Sequence, residues 1–151
     1  MKITTITEDN IDEFVNNMQN NKKTFIAFLA PWCGHCHAFK YEWENIKKQL
    51  KDKKTLVGEI VTMNDKMAGK LPPHVKKPTA FPTFSLYDGI RHIDDYTGER
   101  NSTDMIAFIK KNMSATNNKT RRRRNTRARR RRNTRAHRRI NTRARRRRRG
   151  Y

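Results

Sequence analysis

Ala30-Pro31-Trp32-Cys33-Gly34-His35-Cys36 is the stretch on which the reading of this chain turns. It follows an apolar run, Phe25 to Ala30, and opens a helical pattern, so it lies where a buried strand gives way to a helix. Cys33 and Cys36 are the only cysteines in 151 residues. They can build neither a long-range disulfide within the molecule nor a four-cysteine zinc site, and they act as a pair three positions apart. Backbone N–H groups in a first helical turn lack intrahelical partners, and the helix dipole places partial positive charge there. Both effects stabilise a thiolate at Cys33 and lower its pKa. Cys36, about one turn further in, is placed to attack a mixed disulfide formed at Cys33. His35 adds positive charge that favours the reduced form, which makes the pair more oxidising. The pattern supports thiol–disulfide exchange. Two other readings stand beside it: half a zinc knuckle completed by His35 or His37, and an inert pair of small apolar residues. Four ligands inside five consecutive residues would strain a tetrahedral metal site.

Charge divides the chain. Residues 1–113 hold 17 Lys and Arg against all 14 Asp and Glu, a net of +3, whereas residues 114–151 hold 19 basic residues and no acid. The first part has the composition of one globular domain. The second has almost no large apolar side chains and repels itself, so 114–151 is expected to be a disordered tail. No stretch approaches the roughly 20 apolar residues of a membrane span. The amino terminus, Met1-Lys2-Ile3-Thr4-Thr5, carries no signal-type hydrophobic segment, and Arg149-Gly150-Tyr151 is not a retention signal. A non-secretory location, cytoplasm or nucleus, is therefore expected. That sits awkwardly with an oxidising thiol pair, because the cytosol keeps thiols reduced.

Along the domain, Ile3 to Ile6 reads as a short first strand. Thr7 is expected to cap a helix in which Ile11, Phe14, Val15 and Met18 share a face. Phe25 to Ala30 reads as a strand buried on both faces, central among parallel neighbours. After Cys33 comes a helix with Phe39, Trp43, Ile46 and Leu50 on its core face. Leu56 to Met63 is a third strand, and Asn64 to Val75 a short, proline-broken segment. Phe84 to Tyr87 and Arg91 to Tyr96 flank Asp88-Gly89, a hairpin signal. Asn101 or Ser102 caps a last helix using Met105, Phe108 and Ile109. A parallel crossover half followed by an antiparallel hairpin and a closing helix gives an α/β fold, with a mixed sheet covered on both faces.

With these residues in place, 3–113 resembles a thioredoxin-fold domain of the protein disulfide isomerase type. The Ala30-to-Cys36 run is similar to that family's active-site sequence. Phe81-Pro82-Thr83 resembles its cis-proline segment, and Tyr96-Thr97-Gly98 through Arg100 to Lys111 resembles the approach to its final helix. The resemblance implies a thiol–disulfide oxidoreductase or isomerase acting on protein cysteines. Cys33 would attack and Cys36 resolve, with Pro82 a cis proline facing the disulfide. Trp32, Phe81 and Pro82 would shape the groove for an extended substrate segment, and Arg100 would approach the buried cysteine and lower its pKa. No cofactor or metal is implied, and the domain would act as a monomer. The chain departs from the family at three places. A buried glutamate of the central strand is replaced by Ala27, and its lysine partner on the neighbouring strand falls at Glu59, so Glu59 is expected to face Ala27 and relay protons for Cys36. A helix-kinking proline is replaced by Tyr41, and a lysine by His37. His74 and His92 read as ordinary surface residues.

From Asn125 the tail repeats every eight residues: Asn125 to Arg132, Asn133 to Ile140, Asn141 to Arg148. Eight matches neither the helical nor the strand period, and too few apolar residues exist to line a face. Guanidinium groups pair bidentately with phosphate, so Arg121, Arg122, Arg123, Arg124, Arg129, Arg130, Arg131, Arg132, Arg145, Arg146, Arg147 and Arg148 are the expected contacts to nucleic acid or another polyanion. With no aromatic residue before Tyr151, base stacking has little to work with. The tail resembles those of nucleic-acid packaging proteins and some viral core proteins, which suits a virion-packaged protein. It also frames a rival function, a non-enzymatic packaging protein with the fold as scaffold. If about ten of these charges meet duplex DNA, log affinity should fall with log salt at a slope near −9, indifferent to base sequence. A salt titration on two unrelated duplexes checks both statements.

Overall fold

The computed structural model describes residues 1–20 and 22–115. In chain order its elements are β1 (Lys2–Thr5), α1 (Ile11–Met18), β2 (Lys23–Leu29), α2 (Gly34–Leu50), β3 (Glu59–Asn64), α3 (Asp65–Lys70), β4 (Thr83–Asp88), β5 (Arg91–Asp95) and α4 (Ser102–Met113). The strands form one sheet in the order β1-β3-β2-β4-β5. β2 is central, as its apolar run requires. Its neighbours are not both parallel: β3 runs parallel to it and β4 antiparallel. The chain returns to the sheet through a hairpin on that side, which reverses the strand direction.

Alternation along β2 feeds two cores. Phe25 and Ala27 face Phe39, Trp43, Ile46 and Leu50 of α2 and Met105 and Ile109 of α4. Ile26 and Phe28 face Phe14 and Met18 of α1 and Met67 of α3. Phe25, Ile26, Ala27 and Phe28 are wholly shielded from solvent. Each large apolar side chain so buried contributes roughly 1.5–3 kcal/mol. The mixed sheet, flanked by helices on both faces, is the architecture the resemblance implies.

Local chemistry shifts several boundaries. The residue before α1 is Asn10 rather than Thr7. The Asn10 carboxamide accepts from the Thr7 N–H at 2.9 Å and donates to the Thr5 carbonyl at 3.0 Å, closing a turn that delays the helix. α2 runs without interruption from Gly34 to Leu50, with Tyr41 exposed where the family carries a kinking proline. β3 begins at Glu59, not Leu56, because Leu56 forms an isolated antiparallel bridge with Ser114. The hairpin turns on Gly89 and Ile90, one residue later than Asp88-Gly89, and Gly89 has φ of 64°. At α4 it is Asn101 that caps, accepting from the Asp104 N–H at 2.8 Å, while the Ser102 hydroxyl accepts from Asn45 at 3.1 Å.

Asp95, at the end of β5, anchors the loop that leads to Pro82. Partial burial opposes its ionisation, but hydrogen bonds from Lys76 at 2.6 Å, Ser85 at 2.5 Å and His92 at 2.8 Å hold its pKa down at about 2. The Tyr87 hydroxyl donates to the Lys76 carbonyl at 2.6 Å, so the same loop is tied once to β4 and once to β5.

Gly58 lies where the Lys23 backbone comes too close for a side chain. Its φ is +108°, and a Cβ there would lie 2.1 Å from the Lys23 carbonyl oxygen and 2.9 Å from Met113 Cε. Gly58→Ala should combine left-handed strain with a backbone clash and cost at least about 2 kcal/mol. Urea denaturation monitored by tryptophan fluorescence would show it as a lowered midpoint.

Candidate active site

The parallel strands end together, and the first turn of α2 starts there. Cys33 is the N-cap residue of α2, in extended conformation, and its sulfur accepts from the Cys36 N–H at 3.3 Å. A cap position leaves a sulfur facing N–H groups that the helix itself cannot satisfy. Both cysteines are free thiols, and both are largely covered, Cys33 at 7% and Cys36 at 5% exposure. Phe81 packs against the Ala30-Cys33-Cys36 cluster. What separates the two sulfurs is environment. The hydrogen bond with the Cys36 side chain lowers the Cys33 pKa, outweighing desolvation, with further lowering by the backbone N–H groups of Cys36 and His35 and by Arg100. Burial pushes the Cys36 thiol up to about 11, helped by its hydrogen bond with Cys33, while the Ala30 N–H pointing at its sulfur at 3.4 Å acts the other way.

The Phe81–Pro82 peptide is cis, and the Phe81 carbonyl accepts from the Cys33 thiol at 3.4 Å. The backbone just before Pro82 therefore lies against the Cys33 sulfur. Trp32 is 70% exposed, its ring edge-on to Phe81 at 5.7 Å, and its indole N–H donates to Asp65 at 2.8 Å. His35 is exposed on the first turn of α2. His37 approaches the Pro31 carbonyl at 2.6 Å through Nε2, which requires that nitrogen to carry the proton. Arg100 is exposed, and its charge favours the thiolate at both sulfurs.

Glu59 is not part of this assembly. Ala27 pairs in register with Thr62, whereas Glu59 pairs with Thr24 at the start of β3. Three residues of offset also place Glu59 on the opposite face of the sheet from Ala27. Its carboxylate accepts from the Thr4 hydroxyl and pairs with Lys2 at 3.4 Å. Opposite Ala27 stands the Thr62 hydroxyl, which accepts from the Trp43 indole N–H at 2.9 Å. Beside Cys36 opens a cavity of about 400 Å³, whose lining includes Leu29, His37, Lys40, Glu44 and Thr62. Among the described residues no three of His, Cys, Asp and Glu gather to hold a metal ion. The tail arginines, Arg121 to Arg148, lie outside the described residues.

Two contributors escaped the sequence reading, Asp65 and Thr62. A parallel β3 must end beside the end of β2, so Asn64-Asp65 at a strand-to-helix junction was the available signal for Asp65. Thr62 had none, because it depends on register.

The thioredoxin family model matches residues 2–111. The chain is 30% identical over 110 residues to protein disulfide isomerase-like 1-2 of Oryza sativa subsp. japonica, covering 73% of this chain and 20% of that protein. It is 31% identical over 117 residues to protein disulfide-isomerase of Humicola insolens, covering 73% and 21%. Among solved structures, the first thioredoxin domain of mouse protein disulfide-isomerase A4 superposes with a TM-score of 0.52 at 25% identity, covering 71% of this chain and 72% of that one. The chain spans about a fifth of the length of the two curated relatives. A cysteine pair at this spacing in such a domain supports thiol–disulfide oxidoreductase chemistry.

The opposed pKa directions predict selective alkylation. Iodoacetamide should label Cys33 at a lower pH than it labels an ordinary thiol, and Cys36 only in strong alkali. Mass spectrometry of the labelled peptides across pH 5–10 checks it. Faster labelling of Cys36 at acidic pH would reverse the assignment.

Proposed function

The chain belongs to the thioredoxin family, and from that premise we propose that it exchanges disulfides with cysteines of protein substrates. The observation that carries the reading is the contrast between a Cys33 sulfur held by helix-start N–H groups and a buried, high-pKa Cys36. Cys33 thiolate attacks a substrate disulfide, one substrate sulfur leaves as thiolate, and a mixed disulfide joins Cys33 to the substrate. Cys36 then loses its proton and attacks the Cys33 sulfur. The second substrate thiolate departs, and the Cys33–Cys36 disulfide remains, oxidised by two electrons as the substrate is reduced. Run backwards, the same steps oxidise a dithiol, and stopping after the first allows isomerisation.

Trp32, Phe81 and the segment before Pro82 border Cys33 and supply the groove in which an extended substrate lies. With Ala27 and its register partner Thr62 beneath it, Cys36 has no carboxylate there. The cavity beside Cys36 gives its proton a path outward past His37 and Glu44. Arg100 assists by favouring both thiolates. In this reading residues 114–151 tether the enzyme to nucleic acid or another polyanion.

Insulin-disulfide reduction tests the enzyme, and refolding of a scrambled disulfide protein tests the isomerase. Cys33→Ala should abolish exchange. Cys36→Ala should accumulate mixed disulfides visible on non-reducing gels, and Glu59→Gln should leave the rate within about twofold. Inactivity of the full chain in both assays would favour the scaffold reading. A large rate loss in Glu59→Gln would restore the relay that its position argues against.

A further inference from the structure

The end of the domain opposite the cysteines gathers lysines from separate stretches of sequence. Backbone hydrogen bonds bring those stretches together. The Ala115 N–H donates to the Thr55 carbonyl at 3.1 Å, the Val57 N–H to Met113 at 2.8 Å, and the Gly89 N–H to Lys22 at 3.1 Å. The amino-terminal ammonium donates to the Lys53 carbonyl at 3.3 Å. The start of β2, the α2–β3 loop, the end of α4 and the chain's own amine therefore share one surface. Lys22, Lys48, Lys51, Lys53, Lys54 and Lys110 are exposed there. The acids at this end are Asp52, Glu59 and Asp88, of which Glu59 pairs with Lys2 and Asp88 with Arg91.

Lysines in the last turns of α2 and α4 offset the partial negative charge of helix C-termini, which accounts for Lys48 and Lys110. It does not account for Lys51, Lys53 and Lys54, which lie beyond the end of α2. The acids Asp65, Asp95, Glu99 and Asp104 sit at the cysteine end or at the start of α4 instead. Those acids stand beside Lys66, Lys76 and Arg100, so charge of one sign gathers at the lysine end, and a polyanion is drawn there. Ala115, the last described residue, lies at this lysine end.

We propose that the lysine end of the folded domain contacts duplex nucleic acid through its phosphates, leaving the cysteine pair facing away. The proposal rests on the reading of residues 114–151 as phosphate-binding. Duplex is favoured over single strands because the exposed aromatic side chains, Trp32 and Tyr41, are not among these lysines.

The test uses the full chain, and duplex DNA titrated with salt. Lys51→Gln/Lys53→Gln/Lys54→Gln should flatten the slope of log affinity against log salt by about 3, since each lost phosphate contact removes about 0.9. Lys22→Gln/Lys110→Gln, drawn from other stretches, should flatten it by about 2. A matched control, Lys66→Gln/Lys70→Gln/Lys77→Gln, removes the same charge elsewhere and should change it by less than about 1. Insulin-reduction rates equal to wild type show that each variant is folded. Slopes unchanged in both lysine-end variants, with strong wild-type binding, would overturn the proposal and leave the arginine sequence as the whole site. Equal losses in the triple variant and its control would reduce the effect to net charge and overturn it too. Absence of salt-dependent binding by wild type would overturn both readings. Binding to phosphatidylserine vesicles but not to duplex would assign the surface to lipid.

Discussion

The parallel ladder between β2 and β3, with β4 closing the other side of β2, is the constraint on which the redox end depends. A central strand with both backbone edges paired and both faces buried cannot shift its register without exposing Phe25 or Phe28. Its last residue therefore delivers the chain to one fixed point. Four residues later Cys33 caps α2, in the position where unsatisfied N–H groups converge. The asymmetry between the two sulfurs follows from that placement: one caps the helix, the other is carried a turn inward into the core.

The sheet also explains how the site manages without the family's buried acid. Ala27 and Thr62 face each other beneath Cys36, and Trp43 fills the space between α2 and the sheet while donating to Thr62. An ionised carboxylate in that position would have to be desolvated, and a lysine partner would have to be buried with it. Here the polar demand is one hydroxyl and one indole N–H, both satisfied. The consequence is a resolving thiol governed by burial and by its neighbour Cys33 rather than by a fixed charge.

Much of this was legible in the sequence. The stripe Phe39, Trp43, Ile46, Leu50 placed α2 on the sheet, the apolar run from Phe25 placed β2 at the centre, and the Cys33–Cys36 spacing placed the chemistry at a helix start. What failed were features set by partners distant in sequence. Thr7 and Asn10 both offer a side-chain oxygen near a helix start, and only the carboxamide's second bond, to Thr5, favours Asn10. The β3 boundary moved because Leu56 and Val57 pair with the end of α4, a contact no local pattern announces. The family pattern puts Glu59 opposite Ala27, whereas the register pairs it with Thr24 and puts it on the far face.

One helix joins the two ends of the domain. α2 carries Cys33 as its N-terminal cap and Lys51 as its C-terminal cap, with 17 residues between them and no interruption at Tyr41. At about 1.5 Å per residue it separates these positions by roughly 25 Å. In physiological salt the Debye length is about 8 Å, so a charge at one end is felt through some three screening lengths at the other. The thiol chemistry and the lysine surface are therefore electrically insulated from each other, and whatever occupies the second leaves the ionisation of the first to Cys36, the helix start and Arg100.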